Sequence, residues 1–286
     1  MTTSINVEGL SLGIICGGGD YPLLVARACL KKNINFCLLF FGEEISDVLA
    51  SLRDYKKIPA LSVKIGDVGR AIGFFRENNV HQLVLAGRVA RPNFNNLELD
   101  KKGASWLLKL GKSIFAGDDA LLKKLSQLLK EEGFEVIAGT DLIDDVFLSE
   151  GAMTEVKPDE LDMSDIEKGF EVAKVIGNLD IGQSIIIRRG LIIGVECVEG
   201  TDALIDRCAS LRKSSGGVLV KVSKPQQDYR MDLPVIGLNT VQKLHEHKFA
   251  GMAVETEMCI VLNRELVIEQ LNNFGMFLYC YQSKRS

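Results

Sequence analysis

Residues 10–20 read Leu10-Ser11-Leu12-Gly13-Ile14-Ile15-Cys16-Gly17-Gly18-Gly19-Asp20. An apolar strand pattern leads into a glycine loop, and a helix pattern follows in which Pro22 suits the first turn. Strand, glycine loop and helix form a phosphate-binding arrangement, because backbone N–H groups can approach an anion and the helix dipole favours negative charge. The glycines lack the spacing of the dinucleotide fingerprint and no Walker lysine follows, so a tight turn without a ligand fits the pattern equally well.

Further apolar segments predict strands at residues 35–41, 61–65, 81–86 and 134–138, with helical patterns between them. Strands that alternate with helices indicate a parallel, doubly wound sheet. The sequence therefore predicts an α/β fold whose Rossmann-like N-terminal domain covers residues 1–143.

The remainder of the chain predicts a linker and a second domain. Residues 144–163 are rich in glycine, proline and charge, as is typical of a domain boundary. Residues 164–286 predict a mixed α+β domain, in which Ser164 and Glu167 could form a capping box and Arg189-Gly190 the turn of a hairpin. Its other expected strands lie at residues 217–222, 251–255, 259–262 and 276–280. We expect the ligand to bind in the cleft between the domains.

Composition limits the function classes. The chain has 286 residues, of which 47% are hydrophobic and 25% charged, and this indicates a globular protein of two domains. The net charge of -4 argues against nonspecific binding of nucleic acid, which needs a basic face. The N-terminus lacks the features of a secretory signal and no apolar run could span a bilayer, so we expect a cytoplasmic protein. Seven cysteines without a CxxC pair indicate buried, reduced thiols rather than a zinc site or disulfides.

A polar loop follows the apolar run at residues 217–222 and reads Lys224-Pro225-Gln226-Gln227-Asp228-Tyr229-Arg230-Met231-Asp232-Leu233-Pro234-Val235-Ile236-Gly237. Open α/β sheets bind ligands at such positions, beyond the carboxyl ends of their strands. The loop carries carboxylates, cations and amides between two prolines, and it could hold a metal and a phosphate together. The alternative is a solvated surface loop whose charges satisfy one another.

Charged residues in three other loops are candidates for the same site. Arg88 and Arg91 follow the fourth strand and could contact a diphosphate, or they could bond to helix carbonyls on the surface. Asp118 and Asp119 open a helix, which predicts an N-cap for one and a metal or ribose contact for the other. Glu196, Glu199 and Asp202 offer the oxygen ligands that Mg²⁺ prefers, although Thr201 and Asp202 could equally be helix caps.

Several of these motifs together resemble the LpxI-type UDP-2,3-diacylglucosamine pyrophosphatases, nearly from end to end. The stretches that carry the resemblance are Ile15-Cys16-Gly17-Gly18-Gly19, Ala86-Gly87-Arg88-Val89-Ala90-Arg91-Pro92, Gly117-Asp118-Asp119-Ala120-Leu121-Leu122, Asp180-Ile181-Gly182-Gln183, Glu199-Gly200-Thr201-Asp202-Ala203, and Arg230-x-Asp232-Leu233-Pro234-x-Ile236-Gly237. The resemblance implies Mg²⁺-dependent hydrolysis of UDP-2,3-diacylglucosamine to 2,3-diacylglucosamine 1-phosphate and UMP in lipid A synthesis, by attack of water on the α-phosphate. It also implies a homodimer in the cytoplasm, with transient contact to the surface of the inner membrane.

The motif Arg-x-Asp-Leu-Pro implies a role for Asp232 by resemblance, and the chemistry of the loops predicts roles for the other candidates. Asp232 is the expected catalytic carboxylate, either placing Mg²⁺ or orienting the water, and Asp202 and Glu196 are further expected metal ligands. The expected substrate-binding residues are Gly18, Gly19, Asp20, Arg88, Arg91, Thr201, Lys224 and Gln226. A protein that binds a nucleotide-sugar without hydrolysing it is the alternative, while the incomplete glycine fingerprint disfavours a nicotinamide oxidoreductase.

Overall fold

A computed structural model describes residues 11–42, 52, 58–144, 146–211 and 215–282. The chain forms two compact units. One comprises Met1–Asp144 together with Asp228–Asp232, and the other comprises Asp145–Gln227 and Leu233–Ser286. The short segment Asp228–Asp232 thus belongs to the first unit, whereas the sequence-based boundaries had left it in the second.

The first unit is built on a five-stranded sheet in which every strand pair is parallel. Its strands are β1 (Ser11–Cys16), β2 (Asn35–Phe41), β3 (Ala60–Val63), β4 (Gln82–Ala86) and β5 (Glu135–Val136), in the order β3-β2-β1-β4-β5. The helices are α1 (Tyr21–Lys31), α2 (Val68–Glu77), α3 (Lys101–Leu110) and α4 (Asp118–Glu131). The predicted doubly wound sheet is confirmed, and its strand order reverses between β1 and β4, which is where such sheets bind ligands.

The second unit has a mixed six-stranded sheet, as predicted. Its strands are β6 (Gly151–Ala152), β7 (Ser184–Arg188), β8 (Leu191–Val195), β9 (Val218–Lys221), β11 (Gly251–Glu255) and β13 (Phe277–Tyr281), in the order β6-β13-β11-β9-β7-β8. β9, β11 and β13 are parallel, while β6 and β7 run antiparallel to their neighbours. A separate parallel pair joins β10 (Val235–Ile236) to β12 (Ile260–Val261), so the strand predicted at residues 259–262 lies outside the main sheet.

Helices cover both faces of this second sheet. They are α5 (Glu160–Asn178), α6 (Thr201–Leu211), α7 (Leu238–Glu246) and α8 (Arg264–Asn273). Ile166 and Phe170 of α5 pack in one apolar cluster with Val220, and Leu204 of α6 packs in the other with Leu219. Since Leu219 and Val220 are adjacent in β9, their side chains point to opposite faces, and each face buries its own helices.

The start of α5 differs from the prediction. The helix begins at Glu160 rather than Ser164, because Asp159 accepts the backbone N–H of Asp162 at 2.8 Å and Asp162 completes the capping box. The predicted Ser164–Glu167 box is therefore wrong, since Ser164 already lies inside the helix. The predicted linker also contains β6, which pairs with β13.

The predicted hairpin at Arg189-Gly190 is confirmed. Both residues have positive φ, at 49° and 75°, as a two-residue turn between antiparallel strands requires. The buried carboxylate of Asp165 accepts the backbone N–H of both turn residues at 2.6 Å. The hairpin is therefore fixed to α5 by a charge-assisted contact.

Six of the seven cysteines are buried, and all seven, which lie within the described ranges, are thiols rather than disulfides. Burial raises the pKa of Cys16, Cys37 and Cys259 to about 12, so these thiols stay protonated at neutral pH. None of the helices in the described residues is both long enough and apolar enough to cross a bilayer.

Candidate functional site

The loops after β1 and β4 meet at the point where the strand order of the first sheet reverses. Gly17 N donates to Ala86 O at 2.7 Å, Gly18 N donates to Arg88 O at 2.8 Å, and Arg88 N donates back to Gly18 O at 3.0 Å. A Cβ on Gly17 would lie 2.6 Å from Arg88 O, and one on Gly87 would lie 2.6 Å from Gly18 O. Glycine is required at both positions because the two backbones approach so closely.

This pairing changes the role expected of the glycine loop. The N–H of Gly18 donates to Arg88 O, so this residue has a structural role in joining the two loops. Gly19 has a φ of 89°, is exposed, and a Cβ there would meet nothing within 4 Å. Asp20 is also exposed and occupies the N-cap position of α1, without a side-chain cap. The structure therefore brings Gly18, Gly19, Asp20 and Arg88 together, and their binding of substrate stays a prediction.

Arg91, the second predicted cation of the β4 loop, has internal partners. Its guanidinium donates to Ile114 O at 2.8 Å, to Ala116 O at 2.7 Å and to Asp118 Oδ1 at 3.1 Å. These bonds match the alternative in which the arginine satisfies backbone carbonyls. Arg88 and Arg91 are both exposed, and Arg88 bonds to the glycine loop through its backbone.

The acidic pair at the start of α4 is also accounted for within the first unit. The N-cap is Gly117, not an aspartate as predicted, and both aspartates lie in the first turn. Asp118 pairs with Arg91, and Asp119 pairs with Lys123 at 2.8 Å one turn later. Both carboxylates lie near the positive end of the helix dipole, where negative charge is stabilised. Their presence at this position is therefore explained without contact to a metal or a ribose.

The segment Asp228–Asp232 forms a turn within the first unit. Met231 N and Asp232 N both donate to Asp228 O, at 2.9 and 3.1 Å, and the Met231 side chain packs against the apolar core of that unit. The carboxylate of Asp228 accepts two bonds from Arg230, at 2.9 and 2.6 Å, and this arginine holds the pKa of Asp228 below its usual value. Asp232 is the last residue of this turn and is half-buried.

In the second unit, polar residues collect at the carboxyl ends of the parallel strands. Lys221 ends β9, where it pairs with Ser184 of β7 on one side and Val254 of β11 on the other. The next row holds Gln183, whose carbonyl accepts Val222 N at 2.9 Å, and Glu255 at the end of β11. This edge is where a parallel sheet binds ligands.

Lys221 is the centre of a buried network at this edge. Lys221 is only 6% exposed. Its Nζ donates to Thr201 Oγ1 at 2.8 Å and to Val235 O at 3.1 Å. Thr201 in turn donates to Glu196 Oε1 at 2.8 Å, and Gln183 N donates to the other oxygen of Glu196 at 3.3 Å. Thr201 and Glu196, predicted to bind substrate and metal, thus have internal partners. Sequence reasoning missed Lys221, although a single lysine in the apolar run at residues 217–222 could have indicated it.

A second lysine network fixes the start of the polar loop. Lys174 Nζ donates to Ser223 O at 2.9 Å and to Glu255 Oε2 at 2.7 Å. Glu255 also accepts the backbone N–H and the hydroxyl of Ser223, at 2.8 and 2.7 Å. Ser223 immediately precedes Lys224, so α5 and β11 together determine where the loop leaves the sheet.

Lys224 and Gln226, both predicted to bind substrate, lie against the carboxyl end of α5. Lys224 Nζ contacts Asp180 Oδ1 at 2.5 Å, and Gln226 Nε2 donates to Gly177 O at 2.8 Å. A cation and an N–H donor are favourable at the negative end of a helix. For these two residues the structure supplies a structural role, and contact with substrate stays a prediction.

Asp202, a predicted metal ligand, joins two helices. Its carboxylate accepts hydrogen bonds from the side chains of Asn239 and Thr240 in the first turn of α7, the latter at 3.0 Å. Among the residues that the structure describes, no group of three or more His, Cys, Asp or Glu side chains is arranged to hold a metal ion. Mg²⁺ commonly uses only one or two protein carboxylates together with substrate phosphates, so a single carboxylate beside a diphosphate remains a suitable donor set.

Comparison with known proteins agrees with both halves of the chain. A model of the LpxI N-terminal domain matches residues 11–146, and a model of the LpxI C-terminal domain matches residues 149–279. The UDP-2,3-diacylglucosamine pyrophosphatase LpxI of Caulobacter vibrioides is 34% identical over 274 residues, which cover 93% of this chain and 96% of that protein. The chain belongs to the LpxI family. It therefore contains both LpxI domains, and the resemblance inferred from the motifs is confirmed.

We predict that the bridge between the β1 and β4 loops depends on Gly87. Gly87→Ala adds a methyl group 2.6 Å from Gly18 O at a φ of 87°, and we expect the free energy of unfolding to fall by about 3 kcal/mol or more. Gly111→Ala is the matched control, because its φ is 52° but a Cβ there meets nothing within 4 Å. Urea unfolding measures both; equal losses would show that backbone strain alone, and not the close approach, accounts for Gly87.

We also predict that Lys221 and Glu196 depend on each other. Lys221→Met removes the buried cation that is linked to Glu196 through Thr201 and leaves the carbonyl of Val235 without this donor, which should lower the free energy of unfolding by about 1–3 kcal/mol. Lys221→Met combined with Glu196→Gln removes both charges and should recover part of that loss. Urea unfolding of the two single variants and the double variant measures this coupling. Losses of unfolding free energy that are fully additive would contradict a coupled network.

Proposed function

We propose that the protein hydrolyses the pyrophosphate of UDP-2,3-diacylglucosamine and releases 2,3-diacylglucosamine 1-phosphate and UMP. The observation that carries the proposal is the alignment, nearly from end to end, with a relative named for this pyrophosphatase activity. The order and extent of the two matched domains support it, because neither domain is missing.

The first unit offers groups suited to a diphosphate. The exposed guanidinium of Arg88 lies in the loop that is paired with the glycine loop, and the exposed backbone of Gly19 lies at the N-terminal end of α1. A planar cation and the positive end of a helix both stabilise phosphate oxygens. In our proposal these groups bind the negative charge of the substrate and of the transition state.

Asp232 is our candidate for the catalytic carboxylate. The other carboxylate of the same turn, Asp228, has its charge balanced by the two bonds from Arg230. Asp232 occupies the position that the family motif Arg-x-Asp-Leu-Pro assigns to its essential carboxylate. We propose that it orients the attacking water and accepts its proton, or that it holds a metal ion that would polarise that water.

Magnesium is the metal that we propose, and Asp232 is the residue that we expect to hold it with the diphosphate oxygens. The choice of Asp232 rests on its place in the family motif. Glu196 and Asp202, the other two predicted ligands, accept hydrogen bonds from Thr201, Gln183, Asn239 and Thr240. Bound magnesium would neutralise charge on the diphosphate. Removing metal with a chelator should abolish turnover, and adding Mg²⁺ should restore it.

The proposed setting is the cytoplasmic side of the inner membrane, with the protein acting as a homodimer. Both features follow from the family resemblance, and light scattering of the purified chain tests the second. A nucleotide-sugar binding protein without hydrolase activity is the alternative function. Binding of the nucleotide-sugar without release of UMP, in the presence of Mg²⁺, would favour that alternative.

We predict that Asp232→Asn lowers turnover by roughly a hundredfold or more while substrate affinity changes little. Asp228→Asn is the matched control in the same turn, since it breaks the contact with Arg230 and should lower stability more than turnover. Steady-state kinetics and urea unfolding of both variants separate the roles. Turnover near that of the wild type in Asp232→Asn would exclude this residue from catalysis.

The phosphorus atom that is attacked is tested by hydrolysis in water labelled with heavy oxygen. Attack on the α-phosphate, which the family resemblance implies, places the label in UMP. Label in the sugar 1-phosphate would show attack on the β-phosphate with UMP as leaving group, and it would correct that expectation. Mass spectrometry of the two products distinguishes the outcomes.

A further inference from the structure

A basic and apolar segment stands out in the first unit. Residues 101–116 comprise α3 and the turn that follows it, and they contain four lysines and no acidic residue. The chain as a whole carries a net charge of -4, so this segment is locally opposite in sign. We refer to Lys101–Ala116 as the basic-apolar segment.

Two large apolar side chains of the segment face water. Leu108 is 84% exposed and Phe115 is 85% exposed, while Trp106 and Leu110 on the inner side of α3 are buried. The inner face of α3 thus packs on the apolar core, while Leu108 and Lys101 are exposed to solvent. Burial within the unit does not account for either exposed side chain.

The exposed side chains belong to a rigid part of the unit. Arg91 donates to the carbonyls of Ile114 and Ala116, on both sides of Phe115, so the backbone that carries the ring is fixed to the β4 loop. The same loop contains Val89, which is 44% exposed, and Arg88. Phe115 therefore lies beside the loop that we propose to bind the diphosphate.

The lysines divide into two groups. Lys102 and Lys109 pair with Glu132 and Glu131 of α4, at 2.6 and 2.7 Å. Lys101 and Lys112 are exposed, and within the described ranges neither forms an ion pair with a carboxylate. Two uncompensated cations thus accompany two exposed apolar side chains.

We propose that the basic-apolar segment docks on the surface of an anionic lipid bilayer. Side chains that project from the surface can insert between lipid headgroups, and neighbouring lysines attract anionic headgroups. A soluble ligand would instead need a concave site. The inference goes beyond the proposed hydrolysis and does not require it, but docking would place the Arg88 loop where a diacylated substrate resides.

The test is co-sedimentation of the full-length protein with substrate-free vesicles. Vesicles of phosphatidylethanolamine and phosphatidylglycerol should bind the protein, whereas vesicles of phosphatidylcholine alone should bind it much less, and added salt should weaken binding. Leu108→Ser with Phe115→Ser should lower the affinity by about tenfold or more, the scale of withdrawing a large apolar side chain from lipid. Lys101→Glu with Lys112→Glu should remove the preference for anionic vesicles.

Leu191→Ser with Leu266→Ser is the matched control, because these leucines of the second unit are also exposed, at 69% and 52%. Wild-type affinity in this control, with loss in the segment variants, supports the proposal.

The proposal is overturned if the wild type does not bind anionic vesicles or if Leu108→Ser with Phe115→Ser binds as well as the wild type. It is also overturned if that variant changes the oligomeric state in light scattering, which would make the segment an interface between copies. Turnover of detergent-dispersed substrate tests the proposed hydrolysis separately.

Discussion

The first unit depends on two backbones that lie within hydrogen-bonding distance of each other at the reversal of the strand order. Three hydrogen bonds join the β1 loop to the β4 loop, and side chains at Gly17 or Gly87 would prevent them. The bridge fixes the direction in which the chain enters α1, and it holds Arg88 beside the exposed Gly19. The sequence suggested these glycines for the approach of backbone to a phosphate, and in the structure Gly17 and Gly87 permit the approach of one loop to the other.

The architecture was predictable because each strand and helix carries its own periodic pattern. Alternation of strands and helices is a local property, and it predicted the parallel sheet of the first unit and the mixed sheet of the second. The prediction of where α5 starts was wrong, because Asp159 and Ser164 are both acceptable N-caps by local sequence. Only the structure shows that Asp162 completes a capping box with Asp159. Local rules identify an element more securely than its first residue.

The candidate site was less predictable, because the partner of a polar side chain is usually distant in the sequence. Arg91 bonds to a carbonyl 23 residues away, Lys224 contacts Asp180 across 44 residues, and Thr240 donates to Asp202 across 38. A motif shows that polar groups are present, but not which of them satisfy one another. Lys221 was missed for the opposite reason. In the sequence it is only one residue near the end of a strand pattern, but in the structure its side chain bonds to Thr201 and to the carbonyl of Val235.

The two lysine networks of the second unit define the ends of the polar loop. Lys174 and Glu255 hold Ser223, where the loop leaves β9, and Lys221 holds the carbonyl of Val235, where the chain enters β10. Burying Lys221 is costly unless its charge and donors are satisfied, so its hydrogen bonds favour the arrangement that the structure shows. Because both ends are fixed, the residues between them, Asp232 included, begin from a restricted set of positions. Catalysis by oriented groups requires such preorganisation, since reorganisation during the reaction would raise the barrier. In our proposal the two lysine networks therefore contribute to the chemistry by limiting where the candidate catalytic carboxylate can lie.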